Sequence, residues 1–270
     1  MPDNNVLRNL RRFEIPGVLA FDLGQGGLPK ASVRTPWSQA EIYLHGAQVT
    51  GFQKDGEPPL LFLSPASRFA AGKAIRGGVP ICFPWFGSRP GDVAHGFARI
   101  TDWTVIGAAA LPDGGATLRL ALPNTAASQA WPPFKAEFTV TMRDRLAMEL
   151  AVTNQADDRD FEFEECLHTY FAVGDIGEVF ITGLERAPYL DKTAADASRI
   201  ESGEAIRITA QTDRTYFDTA GTVEIHDPVL HRKITVQKSG SASTVVWNPW
   251  TTQVLPDLGP EEYRRMLCVE

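Results

Sequence analysis

The chain has 270 residues, 43% of them hydrophobic and 22% charged, with a formal net charge of −7. That length and mixture suit a globular protein with a sizeable core and exclude a disordered or fibrous chain. The acidic balance argues against general affinity for nucleic acid or a membrane surface, and the three widely spaced cysteines, Cys82, Cys166 and Cys268, read as reduced, buried thiols in a cytoplasmic protein.

Taken in chain order, the first residues, "MPDNNVLRNLRRFEIPG", contain no apolar segment of signal-peptide length. Later uncharged stretches such as "WTVIGAAALP" fall far short of a membrane span. The glycine-rich "GQGGLPK" lacks the GK[ST] ending of a phosphate loop. Short helical turns are expected at 38–40 and 126–131, and helical periodicity is otherwise scarce. Strand signals dominate. "ATLRLAL" puts Leu118, Leu120 and Leu122 on one face, and "AEFTVTMR" does the same with Phe138, Val140 and Met142. "RLAMELAVTNQ" follows with Leu146, Met148, Leu150 and Val152, and "NQADDRD" is a polar turn. "FEFEECLHTYFAV" reads as one long alternating strand, and "TVEIHDPVLHRKITVQK" as a hairpin turning near Asp227 and Pro228. "STVVWNPW" and "YRRMLCVE" complete the strands. With 23 glycines and 19 prolines punctuating short strands, the pattern predicts an antiparallel sandwich or barrel-like all-β fold. No fixed-period repeat or linker interrupts it, so residues 1–270 are read as a single domain.

Three places could carry chemistry. The first is "AIRGGVPICFPWFG" with the following "HGFAR". Between Ser64 and Arg99 lie five basic residues, Arg68, Lys73, Arg76, Arg89 and Arg99, against Asp92 alone. A basic island in an acidic chain suits a small anion, because the guanidinium fork matches phosphate oxygens in pairs. The alternative is a surface loop of solvated arginines. The second is His168, on the strand face opposite Phe161, Phe163, Leu167 and Phe171, together with Glu164, Cys166 and Tyr170. It is either a hydrogen-bonded structural histidine or a proton donor near neutrality. The third is Glu270, a carboxylate closing the apolar run "MLCV". It either has a partner there or is a solvated terminal residue.

Together, "IRGGVPICFPWFG", "HGFAR", "CLHTYF", "TDRTY", "VVWNPW" and "YRRMLCVE" resemble, in order and spacing, the hexose-6-phosphate mutarotases. These are the glucose-6-phosphate 1-epimerase branch of the aldose 1-epimerase, or galactose mutarotase-like, superfamily. The likeness covers roughly residues 46–270. It implies a single-domain antiparallel β-supersandwich and an isomerase interconverting the α and β anomers of a hexose 6-phosphate. By the resemblance, His168 is the general acid and Glu270 the general base. Arg76 and Arg99 bind the phosphate, Asp213 binds sugar hydroxyls, and His95 belongs to a substrate-binding motif. No cofactor and no metal are implied, and the expected partner is a small sugar phosphate bound to a cytoplasmic monomer. Two departures stand out. Members of the family continue past the catalytic glutamate, whereas this sequence stops at it, so a mobile Glu270 is expected. The residue before "HGFAR", often polar in the family and able to reach the ligand, is Ala94, so one polar contact to the ligand is expected to be lost or made by backbone. Two other readings compete: a non-catalytic sugar-phosphate-binding module of the same fold, and a glycoside-processing enzyme using Glu164, Glu165 or Glu270 as paired carboxylates.

Overall fold

The structure, a computed structural model, describes residues 4–270. Among them the chain is almost entirely β, and every named strand pairing is antiparallel. No helix of the described residues is long and apolar enough to cross a membrane. The chain divides into two compact units. One holds the described residues up to Leu61 together with Arg68–Leu167, and the other holds Phe62–Ser67 with His168–Glu270.

The first unit contains two four-stranded meanders. Leu19–Leu23, Pro29–Arg34, Ser38–Tyr43 and Val49–Lys54 form one, and Thr104–Ala110, Ala116–Ala121, Phe134–Met142 and Leu146–Asn154 the other. A short ribbon pairs Ile81–Cys82 with Cys166–Leu167. The predicted alternation holds where it was strongest. Leu118, Leu120, Phe138, Val140 and Met142 are fully buried, because residues two apart on a strand face the same way. The expected helical turn at 38–40 is instead the start of a strand, since Ser38, Ala40 and Ile42 alternate inward. The turn at 126–131 is present as a short 3₁₀ segment, Ser128–Ala130. An N-terminal helix, Asn4–Leu10, was not anticipated, being too short to display a helical period.

The aromatic segment "AIRGGVPICFPWFG" belongs to this core. Phe83 is completely buried, with its ring against Phe134, Phe161 and Phe163, and Trp85 stacks on Trp131. Two glycines, Gly78 within it and Gly96 in "HGFAR", stand where no side chain fits. Gly78 has a φ of 62°, and a Cβ there would lie 2.2 Å from the Val49 carbonyl oxygen. Gly96 has a φ of 72°, and its Cβ would lie 2.0 Å from the Phe83 carbonyl oxygen. Both are close backbone crossings that only glycine permits.

The second unit contains a six-stranded sheet in the order Tyr170–Ala172, Met266–Val269, Thr244–Asn248, Thr212–Tyr216, Pro188–Asp191 and Ala197–Ile200. A four-stranded sheet runs Ile206–Arg207, Phe180–Thr182, Val223–Asp227 and Arg232–Val236. The last two strands are the expected hairpin after Asp227. Two expectations need correction. "FEFEECLHTYFAV" is not one strand: Cys166–Leu167 pairs in the first unit, Tyr170–Ala172 in the second, and His168 lies at the break. In "YRRMLCVE" the strand begins only at Met266, because Glu262–Arg265 forms a 3₁₀ turn.

Candidate active site

Register builds the site in the second unit. Tyr170 and Trp247 are both directly opposite Cys268, and Asp213 is opposite Trp247. Opposed residues share a face of the sheet, as do residues two apart on one strand. Glu270 therefore joins Cys268 on this face, and His168 joins Tyr170. The side chains follow this geometry. His168 Nδ1 lies 2.8 Å from Glu270 Oε1, with the Glu270 side chain entirely out of solvent and that of His168 only 9% exposed.

Aromatic rings hold the imidazole. The Tyr170 ring stacks parallel to His168 with centroids 4.8 Å apart, and the Trp247 indole meets it edge to face at 5.9 Å. Such packing fixes the plane of the ring and excludes water from one side of the pair. The carboxylate is fixed through its backbone. Glu270 N–H donates to the Val245 carbonyl and Val245 N–H to the Glu270 carbonyl, both at 3.0 Å. Glu270 thus continues the hydrogen-bonded ladder of its strand instead of standing clear of the sheet. The strand is further anchored by buried Asn248, whose amide donates to the carbonyls of Tyr263 and Met266, each at 2.9 Å.

Asp213, half-buried, lies within electrostatic reach of the pair. Burial pushes its carboxyl above the ordinary carboxylate range. The Lys192 ammonium pulls it back, the Glu270 carboxylate pushes it further up, and His168 works the other way. A carboxyl group kept close to charges of both signs can accept or share hydroxyl protons.

Arg76, His95 and Arg99 belong to the first unit. Buried Gln48 brackets Arg76: its Nε2 donates to the carbonyls of Ile75 at 3.1 Å and Gly77 at 2.5 Å. His45, almost fully buried, ties down the chain three residues earlier. One ring nitrogen is 2.8 Å from the Lys73 carbonyl oxygen and the other 2.7 Å from Asp102 Oδ1. Burial opposes the charged imidazole, but the hydrogen bonds to Asp102 and Lys73 outweigh it and hold the His45 pKa above its ordinary value. Arg99 sits on the 3₁₀ turn Ala98–Ile100 and donates from Nη2 to the Ala94 carbonyl at 2.7 Å. His95 closes the loop before it: its N–H donates to Gly87 O at 2.7 Å, and Gly87 N–H donates to its Nδ1 at 3.1 Å. Both arginine-bearing segments are built against the same turn, since Gly46 abuts the Arg99 backbone and Gly78 abuts Val49.

The structure brings His168, Glu270 and Asp213 together on one sheet face. Glu164 and Glu165, the candidates of the glycoside-processing reading, precede the break and lie in the first unit, where Glu164 Oε2 accepts from Phe86 N–H at 3.0 Å. Residues the sequence did not single out include His45, Gln48, Asp102 and Lys192. The first two carried a faint signal, being polar residues inside the apolar run from Ile42 to Val49.

Comparison with known proteins agrees with this picture. The family model described as aldose 1-epimerase matches residues 30–270. A protein of Cenchrus ciliaris named "Putative glucose-6-phosphate 1-epimerase" is 37% identical over 243 residues, covering 86% of this chain and 74% of that protein. One of Escherichia coli K12 with the same name is 32% identical over 239 residues, covering 87% and 80%. The crystal structure of a "putative mutarotase (YeaD)" from Salmonella typhimurium superposes with a TM-score of 0.86 at 28% identity, covering 98% of this chain and 90% of that one. A galactose mutarotase-like protein of Clostridium acetobutylicum, 13% identical with a TM-score of 0.67, shares the fold. With its strand order, its buried imidazole–carboxylate pair and a family match over most of its length, the chain belongs to the aldose 1-epimerase family.

Proposed function

We propose that this protein interconverts the α and β anomers of hexose 6-phosphates, glucose 6-phosphate foremost, by opening and reclosing the pyranose ring. The observation that carries the reading is the buried His168–Glu270 pair at 2.8 Å. Ring opening breaks the bond between C1 and the ring oxygen. The electron pair goes to the ring oxygen, which takes a proton from His168, while Glu270 removes the proton of the C1 hydroxyl and C1 becomes a carbonyl carbon. Rotation about C1–C2 presents the other face, and closure runs the two transfers backwards. Both oxygens are bonded to one carbon, so the acid and the base must act within a few ångströms of each other. Each positioned group contributes about 10²–10⁴-fold. Asp213 orients the ring through its hydroxyls.

Arg76 and Arg99 take the phosphate, and its binding energy orients a reaction centre remote from it. The backbone anchors on Gln48, His45 and Ala94 support this assignment, because a guanidinium on a fixed stem gives up less freedom when it binds. His95 supports the same loop. The names of the plant and bacterial relatives point to the same substrate. Three cysteines outside any disulfide suit a reducing, cytoplasmic setting, and the chain is taken to act as a monomer.

The test is exchange NMR or polarimetry on freshly dissolved α-glucose 6-phosphate, which should equilibrate faster with the protein than without it. Arg76→Ala should raise KM for glucose 6-phosphate at least about tenfold and leave turnover of free glucose nearly unchanged. Equal losses on both sugars would remove the phosphate assignment.

A further inference from the structure

The proposed mechanism leaves one reactive group beside the acid–base pair unused. Cys268 is a fully buried thiol outside any disulfide, on the same sheet face and two residues before Glu270. The ligand atoms of His168, Cys268 and Glu270 all lie within 4.8 Å of one another. We infer that these three side chains form a binding site for a soft divalent cation of the zinc type, and that the ion acts as an inhibitor rather than a cofactor.

The geometry is close to what such an ion needs. Bond lengths of about 2.0–2.3 Å to nitrogen, oxygen and sulfur in a tetrahedron put ligand atoms roughly 3.3–3.8 Å apart. The longest separation in the cluster therefore needs to close by roughly 1–1.5 Å. Three protein ligands leave a fourth position for water. Charge is balanced as well, because a thiolate and a carboxylate together offset a divalent ion, with Asp213 nearby as an outer carboxylate. One sulfur and one imidazole nitrogen select zinc or cadmium over magnesium and calcium, which prefer all-oxygen sites. The ion displaces the thiol proton on binding.

Binding itself depends only on the cluster. Inhibition rests on the acid–base reading above, since an ion held by His168 and Glu270 occupies both groups that would move protons. A path that admits a sugar hydroxyl to the pair also admits an ion.

The two questions separate in one experiment. In a Cys82→Ser/Cys166→Ser variant, Cys268 is the sole thiol, and Cd²⁺ is titrated while the thiolate-to-cadmium charge-transfer band is followed in the ultraviolet. The site predicts saturation at one Cd²⁺ per chain, displacement by Zn²⁺ but not by Mg²⁺, and affinity at least about tenfold weaker after His168→Asn or Glu270→Gln. Absence of the band, or an affinity indifferent to both substitutions, overturns the site. If the double serine variant does not fold, the parent protein is compared with Cys268→Ala. Loss of tight Cd²⁺ uptake supports the site, and unchanged uptake overturns it. Anomer exchange is measured alongside. Exchange in the metal-free protein that Zn²⁺ stops and a chelator restores supports the inhibitory role, and exchange untouched by bound ion overturns that role. Absence of exchange in metal-free protein removes the catalytic reading without altering the meaning of the cadmium result.

Discussion

At the scale of single residues, the proposed mechanism divides one task between His168 and Glu270, so losing either should cost nearly as much as losing both. His168→Asn and Glu270→Gln are each expected to lower kcat by about 10²–10⁴-fold, with the double variant little worse, as stopped-flow polarimetry can measure. Asp213 makes a different prediction. A carboxyl group whose pKa is raised by burial binds its proton more tightly in the folded protein than in the unfolded chain. Stability then falls as pH climbs from the unfolded value, about 3.9, through the folded one, and the deficit persists at neutral pH. Asp213→Asn should therefore melt at a higher temperature than the parent at pH 7. The gain should vanish below about pH 3.9, while KM rises. These three residues were legible in the sequence because each is a polar group at a fixed place in a short motif. Their meeting was implied only by the family resemblance. It depends on which strands pair, and Cys268 lies about a hundred positions from the Tyr170 it faces.

At the scale of elements, the strands with strict alternation were readable because burial on one face imposes a period of two. The "FEFEECLHTYFAV" segment misled because its period continues across a change of sheet. Periodicity reports which side is apolar and carries no information about the hydrogen-bonding partner. The turn from His45 to Gln48 was missed for a related reason, since its work is done on backbone carbonyls of a segment distant in sequence. That turn yields a test. The raised pKa of His45 means its stabilising contribution is fully present below the unfolded value of about 6.5 and is lost as pH rises through the folded value. Asp102, held low by its hydrogen bond to His45, contributes above about 3.9 and fails as pH falls through its lowered pKa. The melting-temperature gap between the parent and His45→Gln should be widest between about pH 4 and 6.5 and should narrow toward alkaline pH. The same variant should raise KM for the sugar phosphate, because the Lys73 carbonyl loses its anchor ahead of Arg76.

At the scale of the whole molecule, a basic island lies within an acidic chain. Two of its members are already engaged: Arg89 lies 3.4 Å from Asp92 and over the Trp85 and Trp131 rings, and Arg99 is braced on Ala94. If the island recruits a dianionic sugar phosphate, added salt should screen it. KM for glucose 6-phosphate should then climb steadily between low and physiological ionic strength, kcat should stay level, and free glucose should show no such trend. The indole packed edge-on against the imidazole has one more consequence. Trp247 is 9% exposed and touches both His168 and Tyr170, so anything arriving at that histidine alters the electronic surroundings of a fluorophore. The chain carries an intrinsic optical gauge of occupancy, readable without label or coupled assay.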